Sequence, residues 1–389
     1  MTRSPTLRVA LIGYGFMGKA HSNAWRQAPR FFELPAEVIM STLCGRDARA
    51  VQKAANEFGW EKTATDWRAV VDDPDIDIID ISTPNDSHAA IAIAAAEAGK
   101  AILCEKPLAR GVGEAERMAE AVGRARVVNM VCHNYRRIPA IALAREMIVR
   151  GELGERLFHF RARYAQDWIA DANFPLVWRL RSKDAGSGSL GDIGSHVIDL
   201  GRYLVGEFRE VCGTLETFVK ERPLPGERES RGKVTVDDAV SVIGRFRNGA
   251  LASLEATRFA PGRKNSLTIE INGSEGSLVF DLEQMNRLGF YSTHDSEEQR
   301  GFREIIVTEP SHPYFEHWWP PGHLIGYEHS FVHTMADFVK AVVKGKSAPP
   351  SFADGLANQR VLAAIEQSAR DKTWVRIKQL AKTPSSWAE

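Results

Sequence analysis

Short apolar runs alternate with helical periodicity over the first ~130 residues, which is the length of one ordinary domain. The segments between the runs have helical spacing, and Asp47 and Gly59 are residue types typical of a helix N-cap and a helix stop. Strands that alternate with helices at this spacing predict an α/β domain over residues 1–131 with a doubly wound parallel sheet. The predicted strands are Leu7–Ile12, Val38–Leu43, Ile76–Ile81, Ala101–Cys104 and Val127–Cys132.

The pattern changes after Tyr135, where longer strand-like stretches with hairpin signals begin. Two of these stretches flank Asn248-Gly249, a dipeptide favoured in tight two-residue hairpins. Residues 132–389 are therefore predicted to form an α+β domain with a large open mixed or antiparallel sheet. Glu221–Lys233, rich in charge, Pro and Gly, is predicted to be a mobile loop, and the tail from Lys382 is predicted to fray. Late helices are predicted over Phe331–Val343 and Leu356–Ala369.

Charge and cysteine content narrow the class of protein. The chain has 389 residues, with 50 Lys and Arg against 50 Asp and Glu, so its formal net charge is zero. Nucleic-acid binders usually carry a basic excess, so we expect no nucleic-acid partner. The apolar runs are too short for a membrane span, and the N-terminal stretch does not fit a secretory signal. The four cysteines form no CxxC pair, which favours a reduced, cytoplasmic setting.

A glycine motif lies between the first predicted strand and the first predicted helix. Its residues are Gly13, Tyr14, Gly15, Phe16, Met17 and Gly18. In this position a G-x-G-x-x-G pattern predicts a Rossmann dinucleotide site. Gly13 allows a tight turn, Gly15 lets the backbone approach a pyrophosphate, and Gly18 permits close helix packing. The N–H groups at the helix start would face the phosphates. The alternative is a glycine-rich turn without a ligand.

The end of the second strand predicts which dinucleotide binds. An acidic residue there would bind a ribose 2′-hydroxyl, whereas a nearby Arg favours a 2′-phosphate. Here Cys44 or Gly45 takes the place of the acid, and Arg46 follows. The expected cofactor is therefore NAD or NADP, with NADP favoured. The alternative is that Arg46 stacks on adenine, which would serve either cofactor.

Three further motifs accompany the glycine motif. Glu105-Lys106-Pro107 follows the fourth predicted strand, and Thr83-Pro84-Asn85 follows the third, with His88 close behind. The segment from Gly191 to Asp199, which contains Asp192 and His196, lies in the second domain. Together these motifs resemble the Gfo/Idh/MocA family of oxidoreductases over nearly the whole chain.

The resemblance implies a function and a set of site residues. It implies catalytic roles for Lys106, Asp192 and His196. Further segments, such as Gln166-Asp-Trp168 and Glu255-Ala-Thr-Arg258, resemble anhydrosugar-oxidising members of the family, which act on a 3-hydroxyl with NAD. The remaining cofactor contacts that we expect are Thr83, Pro84, Asn85, His88, Glu105, Lys106 and Asn134.

Residue chemistry supports the catalytic trio independently. Asp192 and His196 are four residues apart, so on a helix they would share a face, where the carboxylate would orient the imidazole and favour its protonated form. Lys106 follows a strand, where its ammonium would bind a substrate oxygen and stabilise alkoxide charge. The alternatives are a plain surface pair for Asp192 and His196 and a solvated charge for Lys106.

Side chains near these motifs suit a sugar ring, which has apolar faces and hydroxyls. The expected substrate contacts, besides the trio, are Tyr135, Tyr164, Gln166, Trp168 and Arg179. The alternative for Trp168 is a place in the core. His133, Asn134 and Tyr135 follow a strand and are predicted to face the nicotinamide.

A stretch rich in His and Trp, residues 312–333, raises the question of a metal. His329 and His333 have the spacing of metal ligands, but Ser330 stands where the zinc-protease pattern needs Glu. We therefore predict no metal, and an aromatic loop over the substrate pocket.

The favoured hypothesis is an NAD(P)-dependent dehydrogenase. Its substrate would be a sugar, an anhydrosugar such as levoglucosan, or a cyclitol such as myo-inositol, oxidised at a secondary hydroxyl. One alternative is a glycoside hydrolase or epimerase with retained cofactor, acting through a transient keto-sugar. Another is a non-catalytic dinucleotide sensor, against which the trio argues. The broad open sheet has one face left to bury, which predicts a homodimer or homotetramer.

Overall fold

The computed structural model describes residues 5–378, and the predicted frayed tail from Lys382 lies outside them. Among the described residues no helix is long and apolar enough to cross a membrane. The helices are α1 (Phe16–Phe31), α2 (Ala48–Phe58), α3 (Trp67–Asp72), α4 (His88–Glu97), α5 (Val112–Ala125), α6 (Pro139–Val149), α7 (Ser182–Ala185), α8 (Ser195–Leu204), α9 (His329–Lys344) and α10 (Phe352–Asp371). The strands are β1 (Thr6–Ile12), β2 (Glu37–Cys44), β3 (Lys62–Ala64), β4 (Ile78–Ile81), β5 (Ala101–Cys104), β6 (Asn129–Val131), β7 (Leu157–Ala165), β8 (Phe208–Glu216), β9 (Glu221–Leu224), β10 (Glu227–Lys233), β11 (Ala239–Phe246), β12 (Leu251–Thr257), β13 (Ser266–Gly273), β14 (Gly276–Asp281), β15 (Arg287–Ser292), β16 (Arg303–Ile306) and β17 (Val375–Arg376).

The first sheet is parallel, with strand order β3-β2-β1-β4-β5-β6, as the alternating pattern predicts. Asp47 caps α2 by accepting hydrogen bonds from the N–H groups of Arg49 and Ala50, and Gly59 ends α2 in the left-handed conformation. The order in which the chain adds strands to the sheet reverses between β1 and β4, because β2 and β3 lie on one side of β1 and β4, β5 and β6 lie on the other. In open α/β sheets ligands bind beside such a switch point, at the carboxyl ends of the strands.

The core of this sheet is completed by late segments of the chain. Helix α9 packs on α1, so that Phe331 and Phe338 share a core with Trp25. Helix α10 packs on α5 and β6, and Phe352 joins the core on the other face of the sheet. The two predicted late helices are therefore confirmed, and they tie the end of the described chain to its beginning.

The second sheet is mixed, with strand order β16-β15-β14-β13-β7-β12-β11-β8-β17. β7 and β12 pair in parallel, and the other neighbours pair antiparallel, including β11 and β12 on either side of Asn248-Gly249. Helices α6, α8 and α10 pack against this sheet. On the opposite face every second side chain of β11 is exposed, among them Ile243. The predicted open mixed sheet is confirmed.

The predicted mobile loop at Glu221–Lys233 is wrong, because these residues form the antiparallel pair β9 and β10. The buried Arg222 anchors this ribbon, since its guanidinium donates to the carbonyls of Ile169 (2.6 Å) and Asp171 (2.7 Å). These carbonyls lie about fifty positions away in the sequence, so the local composition does not reveal the anchor.

Candidate active site

A cavity of about 1080 Å³ lies between the carboxyl edge of the parallel sheet and the second sheet. It brings together nearly all the site residues that the sequence predicts. On the parallel-sheet side these are Gly13, Tyr14, Gly15, Phe16, Met17, Cys44, Arg46, Thr83, Pro84, Asn85, Glu105, Lys106 and Asn134. On the other side they are Tyr135, Tyr164, Gln166, Trp168, Arg179, Asp192 and His196.

The glycine motif forms a cradle that suits a pyrophosphate. Gly13 has φ +112°, and a side chain there would lie 2.7 Å from the carbonyl oxygen of Ser82. A Cβ on Gly18 would lie 2.2 Å from the Gly13 oxygen, whereas a Cβ on Gly15 would meet no described atom within 4 Å. Helix α1 begins at Phe16 with no side-chain cap and no acid in its first turn. Its free N–H groups can therefore bind an anion, so these residues fit a dinucleotide.

The end of β2 presents a cation to the cavity. Arg46 is exposed there, while burial raises the pKa of the Cys44 thiol to about 11. The ring of Tyr14 covers Gly45, where a Cβ would lie 2.0 Å from the ring. Gly45 therefore has no room for an acidic side chain.

His88 lies outside the cavity, in contrast to its predicted role as a cofactor contact. It is fully buried, with one ring nitrogen 3.0 Å from the Thr83 oxygen and the other 3.2 Å from the Pro107 oxygen. It therefore holds the two loops that line the cavity.

Two amides join this side of the cavity to later segments. Asn85 Nδ2 donates to the Ala185 carbonyl (2.9 Å), and Asn134 Nδ2 donates to Ser330 Oγ (2.8 Å).

Lys106 is held by Asp192. Its Nζ donates to the backbone oxygen of Asp192 at 2.7 Å and to the carboxylate at 3.3 Å. The other carboxylate oxygen accepts from the guanidinium of Arg258 (3.3 Å), whose side chain is completely buried. Burial by itself raises the pKa of Asp192, but Lys106, Arg258 and Arg179 together hold it well below its usual range. Asp192 is therefore an anion between cations.

This arrangement differs from the predicted Asp192–His196 pair. Asp192 lies in a π-helical turn, Leu190–Gly194, that precedes α8. In such a turn hydrogen bonds run from i to i+5, so a spacing of four residues does not close one turn. The carboxylate consequently meets Lys106 and Arg258, and it orients the lysine rather than the imidazole.

His196 packs on the face of Tyr135, with ring centroids 4.3 Å apart and an interplanar angle of 29°. Its Nδ1 is buried without a hydrogen-bond partner among the described residues, and the ring borders the cavity. Burial, with the nearby charge of Lys106, lowers the pKa of His196 well below 6.5. The imidazole is therefore neutral at neutral pH and able to accept a proton.

Behind His196 lies a second buried histidine. The rings of His133 and His196 meet edge to face at 5.9 Å, and burial lowers the pKa of His133 to about 4. Asn358 Nδ2 lies 3.0 Å from His133 Nε2 and 2.8 Å from an oxygen of Asp199, which Arg136 binds through two N–H groups. This network separates His133 from the cavity, in contrast to its predicted place beside the nicotinamide.

The substrate candidates form a hydrogen-bonded wall on the second sheet. Tyr135, Tyr164, Gln166 and Trp168 are joined through Asn265, which the sequence reasoning did not select. Arg258 was named only within a segment that resembles the family and not as a site residue, although its position directly after β12 is a usable signal. Arg179 stacks on Trp178, with 4.3 Å between the guanidinium carbon and the ring centroid.

Of the aromatic residues in the 312–333 segment, Tyr327 and Phe331 line the cavity as predicted, whereas the prediction is wrong for the two tryptophans. Trp318 and Trp319 pack on Phe31 at the end of α1, at 4.5 and 5.5 Å. The histidines of this segment have local partners: His333 lies between the Arg137 carbonyl and Trp318 Nε1, both at 2.7 Å. These rings therefore stabilise the contact between α1 and α9.

Comparisons with known proteins agree with this architecture. A family model described as an oxidoreductase family with an NAD-binding Rossmann fold matches residues 7–133, and the GFO/IDH/MocA C-terminal domain matches residues 141–279. Levoglucosan dehydrogenase from Pseudarthrobacter phenanthrenivorans is 47% identical over 388 residues, covering 96% of this chain and 99% of that protein.

Solved structures agree as well. An oxidoreductase domain protein from Kribbella flavida is 55% identical, with a TM-score of 0.94, and the match covers 96% of this chain and all of that one. A levoglucosan dehydrogenase complex with NADH and levoglucosan is 48% identical, with a TM-score of 0.93 and the same coverage. The chain thus belongs to the GFO/IDH/MocA family and is an oxidoreductase with an NAD-binding Rossmann domain.

Proposed function

We propose that this protein is an NAD(P)-dependent dehydrogenase of a sugar, with the 3-hydroxyl of levoglucosan or a related pyranose as the site of oxidation. The observation that carries the proposal is the meeting of Lys106 and neutral His196 in the same cavity as the glycine cradle. The names of the relatives support an anhydrosugar as the substrate. A cyclitol such as myo-inositol is the second substrate class.

The proton chemistry follows from the two side chains. Lys106 donates a hydrogen bond to the substrate oxygen and stabilises the charge that develops as the proton leaves. His196 accepts that proton, for which it must be neutral. Asp192 keeps the ammonium of Lys106 in place. When bound, the nicotinamide ring supplies the acceptor for the hydride of the carbinol carbon.

We further propose that Arg46 makes NADP at least as good a cofactor as NAD. Arg46 is exposed at the cavity, and Gly45 excludes an acid from the neighbouring position. Arg46→Ala should weaken NADP selectively, by about 10-fold or more, because a charge-assisted hydrogen bond contributes ~1.5–3 kcal/mol. Equal losses for the two cofactors in a binding titration would leave only adenine stacking.

The assembly is a separate proposal. We propose a dinucleotide-binding domain over residues 1–131, and a domain over residues 132–389 that binds substrate and associates through its open sheet face. Ile243, on β11, and Leu251, on β12, are exposed on that sheet, 54% and 42% respectively. Light scattering of the purified chain should give a homodimer or homotetramer, and a monomer at working concentration would refute this assembly.

The function is tested with the purified chain, both cofactors and a panel of pyranoses, anhydrosugars and cyclitols. Accumulation of reduced cofactor with one sugar, and NMR identification of a 3-keto product, is the expected result. Conversion of a glycoside or epimer without net cofactor reduction would favour the retained-cofactor alternative. If no member of the panel undergoes either reaction, the proposal is overturned.

A further inference from the structure

One wall of the cavity, on the side of the second sheet, is a continuous series of hydrogen bonds. Trp168 Nε1 lies 3.0 Å from Gln166 Oε1, and Gln166 Nε2 lies 2.8 Å from Asn265 Oδ1. The Tyr164 hydroxyl lies 2.7 Å from the same Asn265 oxygen and 2.8 Å from the Tyr135 hydroxyl. All five side chains line the cavity.

The donor and the acceptor of every hydrogen bond in this wall follow from one group, the indole N–H of Trp168. An indole N–H can only donate, so Gln166 must turn its oxygen to Trp168 and its amide nitrogen to Asn265. The Asn265 atom that receives this N–H must be the oxygen, which leaves the Tyr164 hydroxyl to donate to it as well. The Tyr164 oxygen then accepts from Tyr135.

The two tyrosines keep their protons in this arrangement. Burial raises the pKa of Tyr135 and of Tyr164 above 10. Each hydroxyl therefore donates one hydrogen bond, and both of these bonds are made within the wall.

These assignments determine whether the wall offers a ligand a hydrogen-bond donor or an acceptor at Asn265. Both lone pairs of the Asn265 oxygen are engaged, so the group that Asn265 can offer a ligand is Nδ2, which only donates. We propose that Asn265 is a specificity-determining residue that binds an oxygen lone pair of the sugar, and that Trp168 sets this polarity through Gln166. The inference rests on the proposed sugar substrate. It implies rejection of an analogue that places an ammonium or a bare carbon at this position.

The position of Asn265 agrees with such a role. It directly precedes β13, beyond the pair formed by Ser266 and Ala165, so it lies beside Gln166 at the end of two antiparallel strands. Residues at strand ends are held by the ladder and yet face a cleft. Asn272, at the other end of β13, instead bonds Ser277 and lies outside the cavity.

The first test is Asn265→Asp, which keeps shape but replaces donors with acceptors. We expect kcat/KM for the sugar that the native protein oxidises to fall about 10-fold, mainly through KM, because the sugar oxygen loses its donor and its own hydroxyl hydrogen must turn to the new carboxylate. The ratio of variant to native kcat/KM should rise as pH falls, since the new carboxyl regains an O–H donor when protonated. Asn272→Asp, the matched control, should stay within about twofold of the native protein.

The second test uses mono-amino and mono-deoxy derivatives of that sugar. At one ring position the native protein should discriminate against both, and Asn265→Asp should reverse its preference in favour of the amine. Trp168→Phe, which retains the aromatic face, should reduce the discrimination because Gln166 is then free to turn.

The outcomes separate the two proposals. Cofactor affinity and thermal unfolding, measured on the same samples, report whether each variant folds. Unchanged kcat/KM in Asn265→Asp, or a loss of the same size that does not recover at low pH, would overturn the polarity inference alone. Absence of sugar oxidation by the native protein would overturn the proposed function first.

Discussion

Two buried histidine sites flank Lys106, and they have opposite electrostatics. Under the parallel sheet, His21 Nδ1 lies 2.9 Å from both oxygens of Asp80, and its Nε2 lies 2.9 Å from Glu105. Burial by itself lowers the pKa of His21, but Asp80 raises it well above 6.5. On the second sheet, burial and the charge of Lys106 lower the pKa of His196.

The same side chain thus has two different uses. His21 is a cation whose ring nitrogens both donate, and it holds Glu105, whose other oxygen accepts from the backbone N–H of Lys106. His196 is neutral and lines the cavity, where we propose that it accepts the substrate proton. The difference arises from the presence of two carboxylates in the first site and a neighbouring ammonium in the second.

The largest effect is expected for His196→Ala. Turnover should fall ~10²–10⁴-fold, the usual contribution of general acid–base catalysis. Cofactor affinity should barely change, because the proposed dinucleotide site is the glycine cradle, which does not include His196. Steady-state turnover and cofactor titration on one sample check this, with His294→Ala, on the exposed surface, as the control. Near-normal turnover would place the proton acceptor elsewhere, and loss of cofactor binding would show a structural role.

The corresponding variant at the first histidine site is His21→Leu. This variant leaves Asp80 and Glu105 buried without their cation, and breaking a buried ion pair costs ~3–5 kcal/mol. Chemical denaturation at neutral pH should show a loss of unfolding free energy of this order. The paired variant His21→Leu with Asp80→Asn should recover part of the loss. A variant as stable as the native chain would mean that His21 is not the cation that this site requires.

Asp192→Asn addresses the residue between the two sites. The amide retains the shape but removes the anion between Lys106 and Arg258, so the lysine loses its orienting partner. Turnover should fall ~10–100-fold, since one displaced electrostatic contact costs a few kcal/mol at most. If Asp192 acted mainly on His196, the pH dependence of kcat would move. The geometry instead predicts a lower kcat with only a small shift of its pH range, because Asp192 is a minor influence on the pKa of His196.

The comparison also shows how far sequence reasoning reaches. The parallel sheet and the glycine cradle were predictable because the strand–helix alternation and the spacing from Gly13 to Gly18 are local features of the sequence. His21 and its partners, Asp80 and Glu105, come from three separate segments, and no spacing relates them.

The second site shows the same limit. Asn265 meets Tyr164, 101 residues away, through the pairing of β7 with β13, and Arg258 meets Asp192, 66 residues away, where the Leu190–Gly194 turn packs on β12. The π-helical turn at Leu190–Gly194 changes which side chains share a face, and a four-residue spacing does not reveal it.

The smallest effect is expected in the pH dependence of the unfolding free energy. Here His21 and the buried His133 behind His196 should act in opposite directions as pH falls. A histidine with a raised pKa, such as His21, contributes stability that is fully present below pH 6.5 and lost as pH rises through its folded pKa. His133, with a pKa of about 4, does the reverse, because acid protonates it first in the unfolded chain. From pH 8 to pH 5 the lowered pKa of His133 should reduce the free energy of unfolding by roughly 2 kcal/mol.

His133→Asn should remove this slope, because an amide can still bond Asn358 and does not titrate. Chemical denaturation at pH 8 and at pH 5 measures the difference, and His294→Asn on the exposed surface should keep the native slope. Neither substitution changes a residue of the Arg136–Asp199 pair beside His133. A native slope in His133→Asn would mean that other buried groups govern acid stability, and the contrast between the two histidine sites would then rest on His21 alone.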